Sequence, residues 1–319
     1  MKCPKCRYNH RYANGMTCSR CKYEFALDPK VRGFGDGRFL AMVRKASADG
    51  SRYFTANQLV TTFSCNQKDR LATRIASFVA ILIFGAGFCG SLLQKEWTIV
   101  IITGVIVLFS VVGFLRSFRK CTKRKPKLVY SSIAGYTKKK GPIKHLVTED
   151  RWLRHRPRNW QESDLYDYGS EGILIVEHDI LVDLFVMNEL HTETRLLIVS
   201  ATGYPDYLVE HTNDILADQP HVPVFALHDA TKKNDRFVER LKRNKFFRLA
   251  EKDIVDLGFS TDDVKSIHEL KYFKDGSTLK VDAIPWKKLA LIIPYAVAEK
   301  ESINSAYASG DTYVSDHFG

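Results

Sequence analysis

The chain has 319 residues, 45% of them apolar, which is enough for two or three domains with buried cores. This composition excludes a chain that is disordered throughout. Its formal net charge is +12. The stretch 116–158 alone holds 15 Lys and Arg against only Glu149 and Asp150, so the rest of the chain is about neutral. This local concentration of cations indicates an anionic partner surface, phospholipid or nucleic acid, and excludes a uniformly basic protein.

Cysteine usage indicates a reducing compartment. The chain has seven cysteines, an odd number, and four of them lie within the first 21 residues. No charged start followed by an apolar run precedes those four, so the sequence predicts no secretory signal. Thiols clustered in this way are typical of a metal site and not of a disulfide framework.

Residues 1–25 are predicted to form a zinc ribbon. Two Cys-x-x-Cys pairs, Cys3 with Cys6 and Cys18 with Cys21, are separated by eleven residues, and each spacer allows a turn that directs both thiolates at one ion. Four sulfur ligands in tetrahedral geometry suit Zn²⁺ and leave no open position for chemistry. We expect the ribbon either to recruit a protein or nucleic-acid partner or to act as a rigid cap, with His10 at the surface.

Residues 32–66 predict a small helical unit that is similar to a fragment of a winged-helix domain. Two helices are expected between 39 and 63, around a turn at 49–50. Thr55 and Gln58 have the spacing of a capping box, which marks the start of the second helix.

Residues 75–115 predict a transmembrane helical hairpin. Ile75–Leu93 and Trp97–Leu115 are charge-free runs of nineteen residues, about 28 Å each as helices, which matches a bilayer core. The hairpin is predicted to span the inner membrane twice. Because cations flank it on both sides, both termini are predicted to lie in the cytoplasm. Small residues in the first span permit helix packing and a homo-oligomer: Gly85, Ala86, Gly87 and Gly90.

Residues 116–164 predict a basic juxtamembrane linker. Its cations favour anionic lipid headgroups because the segment directly follows a membrane span. Contact with DNA or RNA is the alternative, since cations interleaved with aromatic side chains also suit phosphates. The expected contact residues are Lys123, Arg124, Lys125, Lys138, Lys139, Lys140, Arg154, Arg156 and Arg158.

Residues 165–300 predict an α/β domain with a parallel sheet, because short apolar strands alternate with amphipathic helices. Glu177 follows the strand "ILIV" and Asp229 follows the strand "VFAL", which places both acids at the carboxyl ends of strands, where ligands of such sheets bind. They are alternatively caps for the helices that follow. The predicted strands are 173–176, 196–200 and 222–227, and the predicted helices are 179–188, 205–217 and 235–245.

The segments "ILIVEHDILVDLFV", "LLIVSATGYPD" and "VPVFALHDA" together resemble the Toprim domain, and most closely that of the topoisomerase VI A subunit. The resemblance covers roughly residues 165–245 and extends in part to "DLGFSTDDV" and "VDAIPWKKL". It implies phosphodiester chemistry with Mg²⁺ or Mn²⁺. Glu177 then matches the family's metal-binding or acid/base glutamate, and Asp229 matches the first acid of its Asp-x-Asp motif.

The second acid of that motif falls on Thr231, where this chain departs from the family. Replacing one carboxylate with a hydroxyl, beside Lys232 and Lys233, weakens a divalent-cation site. Asp206 and Asp235 are the candidate substitutes.

Three functions therefore stay open. The first is a membrane-anchored, divalent-metal-dependent nuclease that acts on nucleic acid. The second is a catalytically degenerate Toprim-like module that binds nucleic acid or a phosphorylated ligand. The third is an oligomeric membrane scaffold whose ribbon recruits a partner, and residues 301–319 are expected to form a flexible tail.

Overall fold

A computed structural model of the chain describes residues 1–64, 126–148, 151–155, 170–261 and 278–306, together with the helical positions Val105 and Val111. The chain divides into two compact units, one made of Met1–Thr62 with Pro126–Gly319 and the other of Phe63–Lys125. Almost all described residues belong to the first unit.

The described elements alternate between helices and short strands. The strands are β1 (Phe54–Thr55), β2 (Leu146–Val147), β3 (Gly172–Val176), β4 (Leu196–Ser200), β5 (Val224–Leu227) and β6 (Ile254–Asp256). The helices are α1 (Pro29–Arg32), α2 (Asp36–Ala46), α3 (Ala56–Ser64), α4 (Pro126–Lys140), α5 (Asp179–Met187), α6 (Leu190–Thr194), α7 (Val209–Asp218), α8 (Phe237–Lys242) and α9 (Trp286–Glu299).

A four-stranded parallel sheet in the order β4-β3-β5-β6 confirms the predicted α/β region. The chain leaves β3 for β4 on one side and then crosses to β5 on the other side of β3. The topological switch point therefore lies between β3 and β5, and the carboxyl ends of these two strands border a crevice.

Both faces of the sheet are buried, which explains why its strands are continuous apolar runs. Alternate side chains point to opposite faces. On one face Leu174, Val176 and their neighbours pack with residues of α5 and α9, and on the other Ile173 and Ile175 pack with residues of α7 and α8. The sheet is therefore the middle layer of three.

Side chains near the amino terminus of helix α3 attach it to the α/β region by hydrogen bonds. The predicted capping box is present: Thr55 N donates to Gln58 Oε1 at 3.0 Å, and Gln58 N donates to Thr55 Oγ1 at 3.1 Å. Gln58 Nε2 also donates to Ile284 O at 2.7 Å, and Thr61 Oγ1 donates to Ala283 O at 2.7 Å. Residues 54–61 and 281–284 thus form one packed block.

Part of the predicted linker at 116–164 is ordered structure, so that prediction was wrong there. Residues 126–140 form α4, and β2 pairs in parallel with β1. The apolar side chains Val129, Val147 and Leu153 are each 1% exposed. The cations in the described part of this stretch are exposed, and cations dominate the composition of the whole stretch, which hid its buried side from sequence reasoning.

The predicted tail also begins too early at residue 301. Ile303 is fully buried, and its N–H donates to Leu257 O at 2.9 Å, so residues 301–306 belong to the folded domain. The predicted spans at 75–115 lie outside the described residues. Within the described part of the chain, no helix is long and apolar enough to cross a membrane.

Candidate functional site

The four amino-terminal cysteines converge on one point and can hold a metal ion such as zinc. Cys3 Sγ lies 3.5 Å from Cys21 Sγ, Cys6 Sγ lies 3.7 Å from Cys18 Sγ, and all four sulfur atoms lie within 4.8 Å of one another. A tetrahedron with Zn–S bonds of about 2.3 Å has edges of about 3.8 Å, which these distances match. The backbone N–H of Cys21 lowers the pKa of the Cys18 thiol to about 6, which favours the thiolate that a metal needs.

The two cysteine pairs are repeats of one fold, spaced fifteen residues apart. In the first, Arg7 N donates to Cys3 O at 2.9 Å and Arg7 has φ 58°; in the second, Lys22 N donates to Cys18 O at 2.9 Å and Lys22 has φ 57°. The sequence carries the same repeat, since "MKCPKCRY" at 1–8 corresponds to "MTCSRCKY" at 16–23. Sequence reasoning missed this signal, although it was visible as an internal similarity.

His10 is buried, at 1% exposure, so the predicted surface position was wrong. Its Nε2 lies 2.9 Å from Gly15 O, to which it donates, and its Nδ1 lies 3.0 Å from Ser19 Oγ and accepts. Both ring nitrogens are thus used between the two repeats. His10 holds the repeats together and is not one of the four ligands.

A buried carboxylate attaches the cysteine region to α2. Asp36 is fully buried and accepts hydrogen bonds from Tyr23 OH at 2.8 Å, Ala26 N at 2.9 Å and Leu27 N at 2.8 Å. Burial, together with the Asp36 carboxylate, raises the pKa of the Tyr23 phenol above its ordinary value. The negative charge of Asp36 is therefore met by three donors from the end of the second repeat.

A second cluster lies at the carboxyl ends of β3 and β5, at the switch point. Glu177 directly follows β3 and Asp229 lies two residues beyond β5. Asp229 N donates to Glu177 Oε2 at 3.1 Å, and Asn234 Nδ2 donates to the same oxygen. Val281 N donates to Asp229 Oδ1 at 2.8 Å. The donors hold one oxygen of each acid, which leaves Glu177 Oε1 and Asp229 Oδ2 for other contacts.

His178 joins these two acids and was missed by sequence reasoning. Its Nε2 lies 3.3 Å from Asp229 Oδ2 and 3.7 Å from Glu177 Oε2. The Asp229 carboxylate raises the pKa of His178 above its ordinary value. Ligand atoms of Glu177, His178 and Asp229 lie within 4.8 Å of one another, close enough for one metal ion. The only sequence signal was its position directly after Glu177.

The cluster opens into a cleft of about 390 Å³, hereafter the acidic cleft. Four carboxylates line it, and two cations, Arg151 and Lys280, lie among them. The cleft therefore presents both signs of charge to any ligand that enters it. The full lining is Asn57, Arg151, His178, Asp179, Ile180, Asp183, Asp229, Lys280 and Asp282.

Asp282 is the acid in this cleft that comes from farthest along the chain. It is 8% exposed, and Asn57 Nδ2 donates to both its carboxylate oxygens at 2.8 and 2.7 Å. Tyr130 OH donates to Asn57 Oδ1, and Thr55 Oγ1 donates to Asp282 O at 2.7 Å. Burial raises the pKa of Asp282 to about 6. Helices α3 and α4 thus both contribute to positioning this acid.

The other two acids of the cleft lie on α5 and are already paired. Arg151 Nη2 lies 2.7 Å from Asp179 Oδ2, and Ser200 Oγ donates to Asp179 Oδ1 at 2.6 Å. Asp183 accepts hydrogen bonds from Trp152 N at 3.0 Å and from Tyr204 OH. Burial raises the pKa of Asp183 above its ordinary value. These acids attach residues 151–155 to the domain and are poor candidates for binding an ion.

A histidine behind Asp229 fixes the end of β5. His228 Nδ1 donates to Asp229 O at 2.9 Å, and Nε2 lies 3.0 Å from Asp256 Oδ1. Burial alone would lower the pKa of His228, but the Asp256 carboxylate and the Asp229 carbonyl outweigh burial and raise it. A side chain at Gly258 would overlap the His228 ring, so glycine is needed where the chain passes it.

The structure does not bring the three weaker candidates into the cleft. Thr231 is half-buried, and its carbonyl accepts from Asn234 N at 2.7 Å in a turn. Asp206 is exposed at the start of a short 3-10 helix, Asp206–Leu208. Asp235 is exposed and accepts from Thr261 Oγ1 at 3.4 Å. In place of these residues, the described part of the cleft contains His178 and Asp282.

The described members of the predicted basic surface are Lys138, Lys139, Lys140 and Arg154, and all four are exposed. Lys140 Nζ lies 4.3 Å from the centre of the Tyr23 ring. The remaining predicted contact residues lie outside the described residues: Lys123, Arg124, Lys125, Arg156 and Arg158.

Comparison with known proteins gives no match: no family model, no curated protein and no solved structure is significantly similar to this chain. The acidic cleft and the cysteine site therefore carry the functional argument by themselves.

Proposed function

We propose that this chain is a membrane-anchored, Toprim-like protein that acts on nucleic acid as a divalent-metal-dependent nuclease. The observation that supports this most is the cluster of Glu177, His178 and Asp229 at the switch point of a parallel sheet. Ligands of open parallel sheets bind at this position, and its two acids are the ones that the Toprim resemblance selects.

Glu177 Oε1 and Asp229 Oδ2 are the atoms proposed to hold Mg²⁺ or Mn²⁺, which would activate water and stabilise the leaving oxygen. Asn234 and the Asp229 N–H keep the Glu177 carboxylate in place. His178 Nε2, 3.3 Å from Asp229 Oδ2, would offset the charge of Asp229 when it is protonated and would give way to a cation. In hydrolysis the water oxygen bonds to phosphorus, the bond from phosphorus to the leaving oxygen breaks, and that oxygen takes up a proton.

Asp282 is proposed to supply the negative charge that the family motif would place at Thr231. It lines the same cleft as Asp229, and its neighbour Val281 donates to Asp229 Oδ1 at 2.8 Å. Because residues 54–61 pack against 281–284, the site requires the amino-terminal helical unit as well as the sheet.

The rest of the chain is proposed to locate this activity at the inner face of the inner membrane. The charge-free runs within 75–115 would anchor the chain with both termini in the cytoplasm. Lys138, Lys139 and Lys140 are available for lipid headgroups. The cysteine site, loaded with zinc, would recruit a protein partner, and the spans would support a homo-oligomer.

The test is cleavage of labelled DNA and RNA by the full chain in mild detergent, with Mg²⁺, Mn²⁺ or EDTA. Glu177→Gln and Asp229→Asn should each abolish cleavage, because each removes one ligand charge. Asp235→Asn, which changes an exposed acid six residues from Asp229, is the matched control and should cleave normally. Cleavage that survives both substitutions, or that EDTA does not affect, would overturn the proposal.

The second candidate is a catalytically degenerate module that binds nucleic acid or a phosphorylated ligand. Thr231 favours it, and so does the pairing of Asp229 with His178 and Val281 N, which uses the carboxylate within the protein. In that case the chain binds nucleic acid with unchanged affinity in EDTA and does not cleave it, whichever metal is added.

A further inference from the structure

A separate basic groove follows α8. The connection from α8 to β6 forms it together with one residue of α7, and its volume is about 660 Å³. No candidate residue from the acidic cleft lines it. The lining consists of Asn213, Lys242, Asn244, Lys245, Phe246, Phe247, Arg248, Leu249, Ala250, Glu251 and Lys252.

Two asparagines fix the shape of this connection. Asn213 on α7 donates from Nδ2 to Phe246 O at 2.8 Å, and its Oδ1 accepts from Arg248 N at 2.9 Å. Asn244 Oδ1 accepts from Phe246 N at 2.7 Å. The backbone between 244 and 248 is therefore held by side chains, and the groove exists before any ligand binds.

Among the described residues that line the groove, four are cations and one, Glu251, is an acid. Lys242, Lys245 and Arg248 are exposed, and within the described residues none of them has an acidic partner within 4 Å. Lys252 donates to the carbonyls of Gln219 and Pro220 at 3.2 Å each, so it anchors the connection. Three cations are left to meet an anion.

An aromatic ring lies among these cations. Phe246 is half-buried, and Lys245 Nζ lies 5.0 Å from the centre of its ring. One side of the ring is pressed against the backbone at Gly203, where a Cβ would come within 2.6 Å of it. The other part of the ring is accessible from the groove, which provides a surface on which a base can stack.

The groove is connected to the edge of the sheet that carries Glu177. Asn244 Nδ2 donates to Ala201 O at 2.7 Å, and Ala201 N donates to Val176 O at 2.8 Å. Val176 directly precedes Glu177. The Asn244 end of the groove therefore lies beside the loop after β4, near the carboxyl end of β3.

We propose that this groove binds the phosphate backbone of single-stranded nucleic acid. The strand offers one negative charge per nucleotide to Lys242, Lys245 and Arg248, and bases that stack on Phe246. In a duplex the bases are paired and stacked inside the double helix, so they are not available to stack on Phe246. This inference rests on the proposed function for the identity of the polymer, but the binding itself requires no metal and no cleavage.

The test measures fluorescence anisotropy of a labelled single strand of about 16 nucleotides with the full chain in mild detergent and EDTA. The double variant Lys245→Glu/Arg248→Glu should weaken binding by about 10-fold or more. It should also reduce the slope of log affinity against log salt by about 1.4, which corresponds to two lost phosphate contacts. The matched control is Arg44→Glu/Lys45→Glu, an equal charge change on the exposed last turn of α2, which should bind nearly as well as the parent.

Three results would overturn the inference: no loss in the groove variant, an equal loss in both variants, or tighter binding of a duplex or an acidic peptide than of the single strand. Circular dichroism checks the fold, and Lys245→Gln/Arg248→Gln should give a smaller loss in the same direction. The assay is repeated with Glu177→Gln. If that variant binds normally while the parent never cleaves, the groove is supported and the nuclease proposal fails.

Discussion

The cysteine site and the cluster of Glu177, His178 and Asp229 beside the acidic cleft each hold ligand atoms within 4.8 Å of one another, but the chain assembles them in different ways. The cysteines lie within nineteen residues of one another, and local turns bring them together. Glu177, Asp229 and Asp282 span more than one hundred residues, and only the sheet and helix α3 bring them together. A metal can therefore organise the first site, whereas the fold must organise the second.

The two sites also differ in how their charge is balanced. Within the cysteine site a bound ion would compensate the charge of the thiolates, since segments this short lack a large core of their own. In the acidic cleft Asn234, Val281 N, His178 and Asn57 already contact the carboxylates. We therefore expect metal removal to unfold the first site and to leave the second folded.

The largest expected effect is from Cys18→Ser. Loss of one of four ligands should reduce zinc from about one ion per chain to near zero and unfold residues 1–25, because zinc contributes about 10–16 kcal/mol to such small domains. Zinc content by mass spectrometry and protease sensitivity of residues 1–25 measure it. The control Ser19→Ala changes the residue next to the ligand Cys18 and should keep its zinc. If the α/β region of Cys18→Ser unfolds together with residues 1–25, the expectation that metal loss unfolds only the cysteine site is wrong.

Acid should affect the α/β region through His191. Burial lowers the pKa of His191 to about 4, below the 6.5 of a solvated imidazole. The unfolded chain gains a proton as the pH falls through 6.5, whereas the folded chain gains one only near pH 4. The contribution of His191 to the free energy of unfolding is therefore constant above pH 6.5 and should fall by about 3 kcal/mol between these values.

Urea unfolding followed by tryptophan fluorescence at pH 7 and pH 4.5 measures this loss. His191→Gln removes the ionisable group and should show a much smaller fall. His221→Gln, at an exposed histidine, should behave like the parent. An identical change in stability between pH 7 and pH 4.5 in His191→Gln and in the parent would refute the assignment.

A smaller effect is expected from Gly258→Ala, which tests whether His228 holds Asp229 and the end of β5 in place. The added Cβ would overlap the His228 ring and disturb its bonds to Asp256 and to Asp229 O. Overpacking of this kind costs about 2–3 kcal/mol. Urea unfolding should detect it without any change in zinc content. Gly35→Ala is the comparison for a glycine replaced without a clash, because its φ is negative and its added Cβ would lie 3.9 Å from the nearest atoms.

The smallest effect is expected from Asn57→Ala, which removes the donor to Asp282 and should cost about 1–2 kcal/mol. Mn²⁺ binding by electron paramagnetic resonance should weaken if Asp282 contributes charge to the cleft. Tyr130→Phe keeps the Asn57 amide and deletes only the hydroxyl behind it, so its effect should be smaller. Unchanged Mn²⁺ affinity in Asn57→Ala would exclude Asp282 from the metal site.

The sequence predicted the parts of the molecule whose signal is local. The four cysteines follow from their spacing, and the capping box follows from Thr55 and Gln58. Three of the four strands of the central sheet follow from apolar runs within one or two residues of their ends, and only β6 was not predicted. Glu177 and Asp229 were placed at the correct edge because parallel strands share one direction.

The remainder could not be predicted because it depends on contacts that are remote in sequence. Asp282 reaches the cleft from a segment held by α3, and Asn57, which orients it, lies 225 residues earlier in the chain. His178 was overlooked because a single histidine next to an acid belongs to no sequence motif that would mark it as a site residue. The cations of 116–164 masked the spacing of Val129, Val147 and Leu153, so a packed helix and strand were taken for a linker.

The fifteen-residue repeat of the cysteine region makes the site a covalently joined pair of equal halves. Each half supplies two thiolates and the same turn, so a single half has only half of a coordination sphere. A peptide of residues 1–12 alone should therefore pair with a second copy of itself around one ion. Joining the halves in one chain converts that pairing into an intramolecular step and raises the effective ligand concentration to the millimolar range or above.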